Sequence, residues 1–129
     1  MVRLSPLFVV LTTLSLGCAS NSTHPGLSNK WRLAVDGSAG AAGNIRLALD
    51  NAGGRISRVS IKIPSGTSEN DIARRVRDEL RLALPGSAYE VEVDDGEDVL
   101  VKKLADTQDF SMAVRRNTVK GVELKLSTE

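Results

Sequence analysis

The side chains that most often perform chemistry in proteins are scarce in this 129-residue chain. It has one cysteine, Cys18, and one histidine, His24, both near the N-terminus. Nucleophilic catalysis needs a base beside the nucleophile, and neither the G-x-S-x-G nor the H-E-x-x-H pattern occurs. The sequence therefore indicates no catalytic residue, no metal ligand and no cofactor, and we expect His24 to be solvated.

Cys18 directly follows an apolar segment. Met1–Arg3 gives a short positively charged start, residues 4–16 are apolar or small, and Gly17 precedes the cysteine. This layout is typical of a secretory signal, and the apolar run is shorter than the roughly 20 residues of a membrane-spanning helix. The last five residues, Leu14-Ser15-Leu16-Gly17-Cys18, resemble the lipobox of bacterial lipoproteins.

The resemblance to bacterial lipoproteins implies cleavage before Cys18, a diacylglyceryl group on its sulfur and a palmitate-type acyl chain on its new amino group. Two or more acyl chains hold a domain stably on a membrane, whereas one does not. Ala19 and Ser20 resemble the default signal for sorting to the Gram-negative outer membrane. We therefore expect an exported protein anchored at the periplasmic face of the outer membrane. The alternative is an ordinary signal peptide cut near Ser20, which would leave a freely secreted domain.

The chain divides into three parts on this interpretation. Residues 1–17 form the signal peptide, residues 18–29 the lipidated cysteine and a flexible tether, and residues 30–129 a single domain. The tether is polar, contains Pro25-Gly26 and has no periodicity, as in flexible linkers.

Net charge limits the range of partners. The full chain has 17 Lys and Arg against 16 Asp and Glu, and loss of residues 1–17, which hold Arg3 and no acid, leaves equal numbers. A nucleic-acid-binding protein needs a basic excess or stripe, so we predict no nucleic-acid partner. With an acyl anchor in place, neutrality also argues against electrostatic docking to the membrane. No small-molecule substrate is identifiable.

Three charged or glycine-rich segments could bind ions. Four acids crowd one turn, Asp94, Asp95, Glu97 and Asp98, but their spacing is not that of an EF-hand calcium loop, so calcium binding stays an open alternative. Residues 37–43 contain three glycines at three-residue intervals, followed by a strand rather than a helix, which favours a hairpin loop over a phosphate cradle. The arginines of residues 74–81 fit a solvated helix face with ion pairs from Asp71 to Arg75 and from Arg74 to Asp78, and a docking face for anions is the alternative.

Periodicity predicts seven strands and one helix. Apolar residues alternate with polar ones in six runs that lie around residues 31–35, 45–49, 57–63, 89–101, 110–114 and 122–126, and the 89–101 run turns at Asp95-Gly96 to give two strands. Residues 67–84 have a helical stripe, with Ser68 as N-cap and Asp71 three residues later. We also expect residues 110–126 to close as a hairpin.

The predicted class is α+β, in the order β-β-β-α-β-β-β-β. One helix about 25 Å long cannot cover seven flat strands at about 4.8 Å spacing. We therefore predict a strongly curved antiparallel sheet of about seven strands on one helix, or a sheet that splits into two parts. Exposed sheet edges are natural places for a partner strand to add.

These expectations favour a non-catalytic envelope lipoprotein, a binding or assembly accessory with an envelope protein partner. Two alternatives remain open. One is a secreted soluble module that binds or inhibits a partner. The other is a small enzyme that uses dispersed carboxylates.

Overall fold

The computed structural model describes residues 26–129; the predicted signal peptide, Cys18 and His24 lie outside these residues. The described chain confirms the α+β class and the predicted element order. The elements are β1 (Lys30–Asp36), β2 (Gly43–Asn51), β3 (Ile56–Ile63), α1 (Glu69–Ala83), β4 (Tyr89–Asp94), β5 (Asp98–Lys103), β6 (Phe110–Asn117) and β7 (Glu123–Thr128).

The strands form two antiparallel sheets, so the prediction of a single curved sheet is wrong and the alternative, a sheet that splits into two parts, is confirmed. The larger sheet has the order β4-β5-β1-β7 and the smaller one β3-β2-β6. The chain passes from one sheet to the other four times, at residues 37–42, through α1, and at residues 104–109 and 118–122. The expected hairpin over residues 110–126 is therefore also wrong, since β6 pairs with β2 and β7 pairs with β1.

One apolar core joins both sheets and the helix. The inward side chains of β1, β2 and β3 are buried, and α1 adds Ile72, Ala73, Val76 and Leu80 to the same cluster. The helix packs against β3 of the small sheet and against β4, β5 and β1 of the large one. Full burial of each large aliphatic side chain stabilises the fold by about 1.5–3 kcal/mol. The helix thus closes one side of the gap between the sheets.

The capping residues in the sequence predicted the start of the helix correctly. Ser68 is the N-cap and its Oγ accepts a hydrogen bond from the Asp71 N–H at 3.3 Å. The expected ion pairs from Asp71 to Arg75 and from Arg74 to Asp78 are replaced by Arg74–Asp71 and Arg77–Asp78, because exposed pairs are too weak for spacing to fix them. Within the described residues, no helix combines the length and apolarity needed to cross a membrane.

Two of these connections, residues 37–42 and residues 118–122, pack against each other. The Gly40 N–H donates to the Lys120 carbonyl at 2.8 Å. Gly37 has a φ of +94°, and a Cβ at this position would overlap the Gly121 carbonyl oxygen. At Gly43 a Cβ would lie 2.6 Å from the Thr118 carbonyl oxygen. Residues 37–42 are therefore a close-packed crossing between sheets, and the prediction of a hairpin loop here is wrong.

Candidate functional site

The acidic turn lies between β4 and β5, where a basic side chain holds it. The loop has three residues, Asp95 to Glu97, rather than the expected two, because Asp94 pairs with Asp98 in the ladder. Arg32, on the outer face of the large sheet, contacts Asp94 at 3.0 Å and Asp98 at 2.5 Å. Its guanidinium thus occupies the space between two carboxylates that could have faced a calcium ion.

A third carboxylate completes this network around Arg32. Nε of Arg32 donates to Glu129, which also pairs with Lys30 at 3.0 Å. The hydrogen bond from Arg32, and then that from Lys30, lower the pKa of Glu129, while hydrogen bonds to Glu129, Asp98 and Asp94 raise the pKa of Arg32. Glu129 and Arg32 are therefore held in their charged forms, whereas a general acid or base needs a pKa near the working pH.

This network ties together four parts of the chain. It joins β1, both arms of the β4–β5 hairpin and the last residue of the chain. Among residues 26–129 no group of three or more His, Cys, Asp or Glu side chains is arranged to hold a metal ion. The carboxylates that do converge are bound to a guanidinium, so the carboxylate-enzyme hypothesis gains no support from them.

A different feature is suited to binding, namely the gap between the free edges of β6 and β7. β6 ends the small sheet and β7 ends the large one, so within residues 26–129 each strand lacks a ladder partner on one side. A shallow, open groove of about 650 Å³ follows this gap. We call it the seam; it is lined by Trp31, Met112, Ala113, Val114, Leu126, Ser127 and Thr128.

Hydrogen-bond alternation shows which backbone groups face the seam. In an antiparallel ladder, successive residues direct N–H and C=O to opposite sides. On β6, the N–H and C=O of Phe110 pair with Ser28 rather than with β2, so the same groups of Met112 and Val114 face the seam. On β7, Glu129 N–H donates to Lys30 of β1, so Thr128 and, by alternation, residues 126 and 124 face the seam.

Polar contacts close the seam at both ends. At one end, the Asn117 amide donates to the Val122 carbonyl at 2.8 Å and accepts from the Val119 N–H at 3.0 Å. At the other end, Ser28 pairs with Phe110, whose carbonyl also accepts from the Trp31 indole at 2.9 Å. The middle section, between these two closures, is the part open to a ligand.

The sequence predicted some of the apolar residues that line the seam, but not the seam itself. The alternation over β6 and β7 identified Met112, Val114, Leu124 and Leu126 as inward residues. Their surroundings depend on which strands pair, and alternation does not specify pairing. Ser28, which we placed in the predicted tether, forms a β-bridge with Phe110 of the domain.

Comparison with known proteins adds no family assignment. No protein-family model matches the chain, and no curated protein has a significantly similar sequence. Cys18 and His24 lie outside the described residues, so the lipobox stays a prediction from the sequence.

Proposed function

We propose that this protein is an exported, lipid-anchored binding module that captures an extended segment of an envelope protein in the seam. The observation that carries the proposal is that two strand edges, which have no ladder partner in the described part of the chain, face each other across an open apolar groove. An extended chain satisfies backbone donors and acceptors of this kind by adding as a strand. No chemical step is required for this role.

The chemistry of the seam defines the segment that fits it. Met112 and Val114 supply backbone groups from β6, and Trp31 and Leu126 supply apolar surface. Side chains of an added strand point alternately to its two faces. We therefore expect a short extended peptide in which every second residue is apolar and covers the half-buried Leu126.

Strand capture is tested by photo-crosslinking in intact envelopes. A crosslinking amino acid at Thr128, whose backbone faces the seam, should form an adduct with an envelope protein. The same amino acid at Lys125, exposed on the outer face of the same strand, should not. Thr128→Pro removes a donor that faces the seam and leaves the ladder to β1 intact, so it should abolish the adduct that the same crosslinking amino acid forms from Leu126, a second seam position.

Two outcomes would refute strand capture. Equal adducts from positions 125 and 128 would indicate collision rather than binding in the seam. An adduct at a second seam position, Leu126, that persists unchanged in the Thr128→Pro protein would show that backbone pairing plays no part. Far-UV circular dichroism of each variant confirms that the fold is retained.

The anchor is tested separately. In a bacterial host, metabolic labelling with palmitate should mark the wild-type chain and leave Cys18→Ser unlabelled. A protein recovered in the medium without label would support the alternative of a secreted module. The lipobox residues and the signal-like segment before them support the anchored form.

A further inference from the structure

The outer face of the small sheet carries a cluster of arginines. Arg46 of β2, Arg58 of β3 and Arg115 and Arg116 of β6 are all exposed. In the ladder, Arg46 lies directly opposite Arg116, and Ala48, two residues along from Arg46, lies opposite Arg58. Four guanidiniums are therefore carried by neighbouring positions of three adjacent strands.

A β-bulge adds to this cluster. The β2–β6 register shifts between Arg46 and Leu47, so that Leu47 faces Val114 and Arg46 faces Arg116. Arg115 is therefore the extra residue of β6. It lines one cavity together with Arg46 and Arg58. Bulges commonly redirect a side chain at functional positions.

The cluster lacks countercharges of its own. Within residues 26–129, none of the four arginines forms an ion pair; the ion pairs there involve other residues. Asp50 is on the same face of β2, but it does not line the cavity, and its Oδ1 is enclosed without a hydrogen-bond partner. Like charges placed directly opposite in a ladder destabilise a sheet. A bound anion would remove this repulsion.

The cavity between the arginines has a volume of about 530 Å³, within the range of small-ligand sites. Its lining also includes Ala48 and Ile56, and Ile56 is 52% exposed. The site thus combines cationic groups with apolar surface. It lies on the outer face of the small sheet and shares no lining residue with the seam.

We infer that this cavity binds a phosphate group attached to an apolar body. A phosphate offers three terminal oxygens and up to about two negative charges, and guanidiniums bind such groups through paired N–H donors. One carboxylate offers two oxygens and a single charge, which leaves most of the cluster unneutralised. Ala48 and Ile56 contact the apolar body. A phospholipid headgroup and a free phosphate ester share this chemistry.

NMR titration of the arginine side chains tests the inference. The Nε–Hε signals of Arg46, Arg58 and Arg115 are followed in the full chain carrying Cys18→Ser while inorganic phosphate is added. A short-chain phosphatidylglycerol, below its micelle concentration, forms a second arm. Saturable shifts at these three residues with either probe support the site, and the tighter probe identifies the source as free or lipid phosphate.

Charge variants make the test specific. The double variant Arg46→Gln/Arg58→Gln should weaken phosphate binding at least about tenfold, the loss expected for one charge-assisted hydrogen bond or more. Arg75→Gln removes an exposed arginine of the helix and should leave binding unchanged. Absence of saturable shifts with both phosphate probes would overturn the inference, as would equal affinity for acetate or tighter binding of a glutamate-rich peptide.

Discussion

Replacement of Gly37 by alanine should destabilise the fold more than any other single methyl addition at a glycine. Gly37 lies where residues 37–42 cross residues 118–122, with a φ of +94° and the Gly121 carbonyl oxygen in the place of a Cβ. Two separate effects act here. An L-residue in the left-handed region costs about 1–2 kcal/mol, and an added methyl that displaces packed backbone costs about 1–3 kcal/mol.

Other glycines separate these two effects. Gly54 has a φ of +81° with open space around its Cβ position, so Gly54→Ala should show the conformational cost alone, about 1–2 kcal/mol. Gly43 has no positive φ but a Cβ site 2.6 Å from the Thr118 carbonyl oxygen, so Gly43→Ala should show the packing cost alone, about 1–3 kcal/mol. Gly37→Ala should combine both, about 2–5 kcal/mol.

Urea unfolding followed by fluorescence measures these differences, because the chain has a single tryptophan, the buried Trp31. Gly86→Ala is the control: its Cβ would meet nothing within 4 Å, so the free energy of unfolding should stay within about 1 kcal/mol of wild type. A total stability of about 5–15 kcal/mol is typical of such domains. If Gly37→Ala and Gly43→Ala behaved like Gly86→Ala, the connections would not pack against each other as described.

Three further predictions concern caps and charges. Ser68→Ala should lower the free energy of unfolding by about 1 kcal/mol through loss of the N-cap acceptor, and Ser68→Asp should restore it; a silent alanine variant in urea unfolding would contradict the cap. Arg46→Gln should raise the free energy of unfolding by about 0.2–1 kcal/mol in phosphate-free buffer, because it relieves the repulsion from Arg116. A melting temperature below that of the wild type would contradict this prediction. The pKa of Glu129 is lowered from 4.5, chiefly by the hydrogen bond from Arg32. The stabilisation of the fold by this ion pair is therefore complete above about pH 4.5, and it is lost as the pH falls through the lowered pKa. Carbon NMR titration should show its midpoint move back toward 4.5 in Arg32→Gln, and an unmoved midpoint would contradict the ion pair. The pKa of Arg32 is raised, so its contribution would be lost only at extreme alkaline pH.

Alternation and capping located the elements because these signals are local. Residues 31–35 and 45–49 alternate with period two, and each segment is a strand with its apolar residues buried. The same pattern does not identify the neighbour of a strand, because any apolar face can pack on the common core. The split into two sheets therefore depends on the crossings between them, among them residues 37–42 and 118–122, where contacts between backbones matter more than side-chain type.

Net charge was a poor guide to the surface. Equal numbers of acids and bases in residues 18–129 gave no indication of a basic face, but the distribution of charge over the surface is uneven. Carboxylates surround Arg32 on the large sheet, whereas Arg46, Arg58 and Arg115 share a cavity on the small sheet without described ion-pair partners. Composition averages over faces, and the strand register that places these charges is set by tertiary packing.

The position of β1 has a mechanical consequence. This strand lies between β5 and β7 in the large sheet, and Ser28, just before it, is paired with β6. A pull on the N-terminal end along the strand axis would load many inter-strand hydrogen bonds at once, in shear, instead of opening them one after another. A domain held at its N-terminus and loaded through the opposite end of the sheet would therefore resist unfolding, while a pull between Trp31 and Thr128, which face each other at one end of the β1–β7 ladder, would open that ladder bond by bond at lower force.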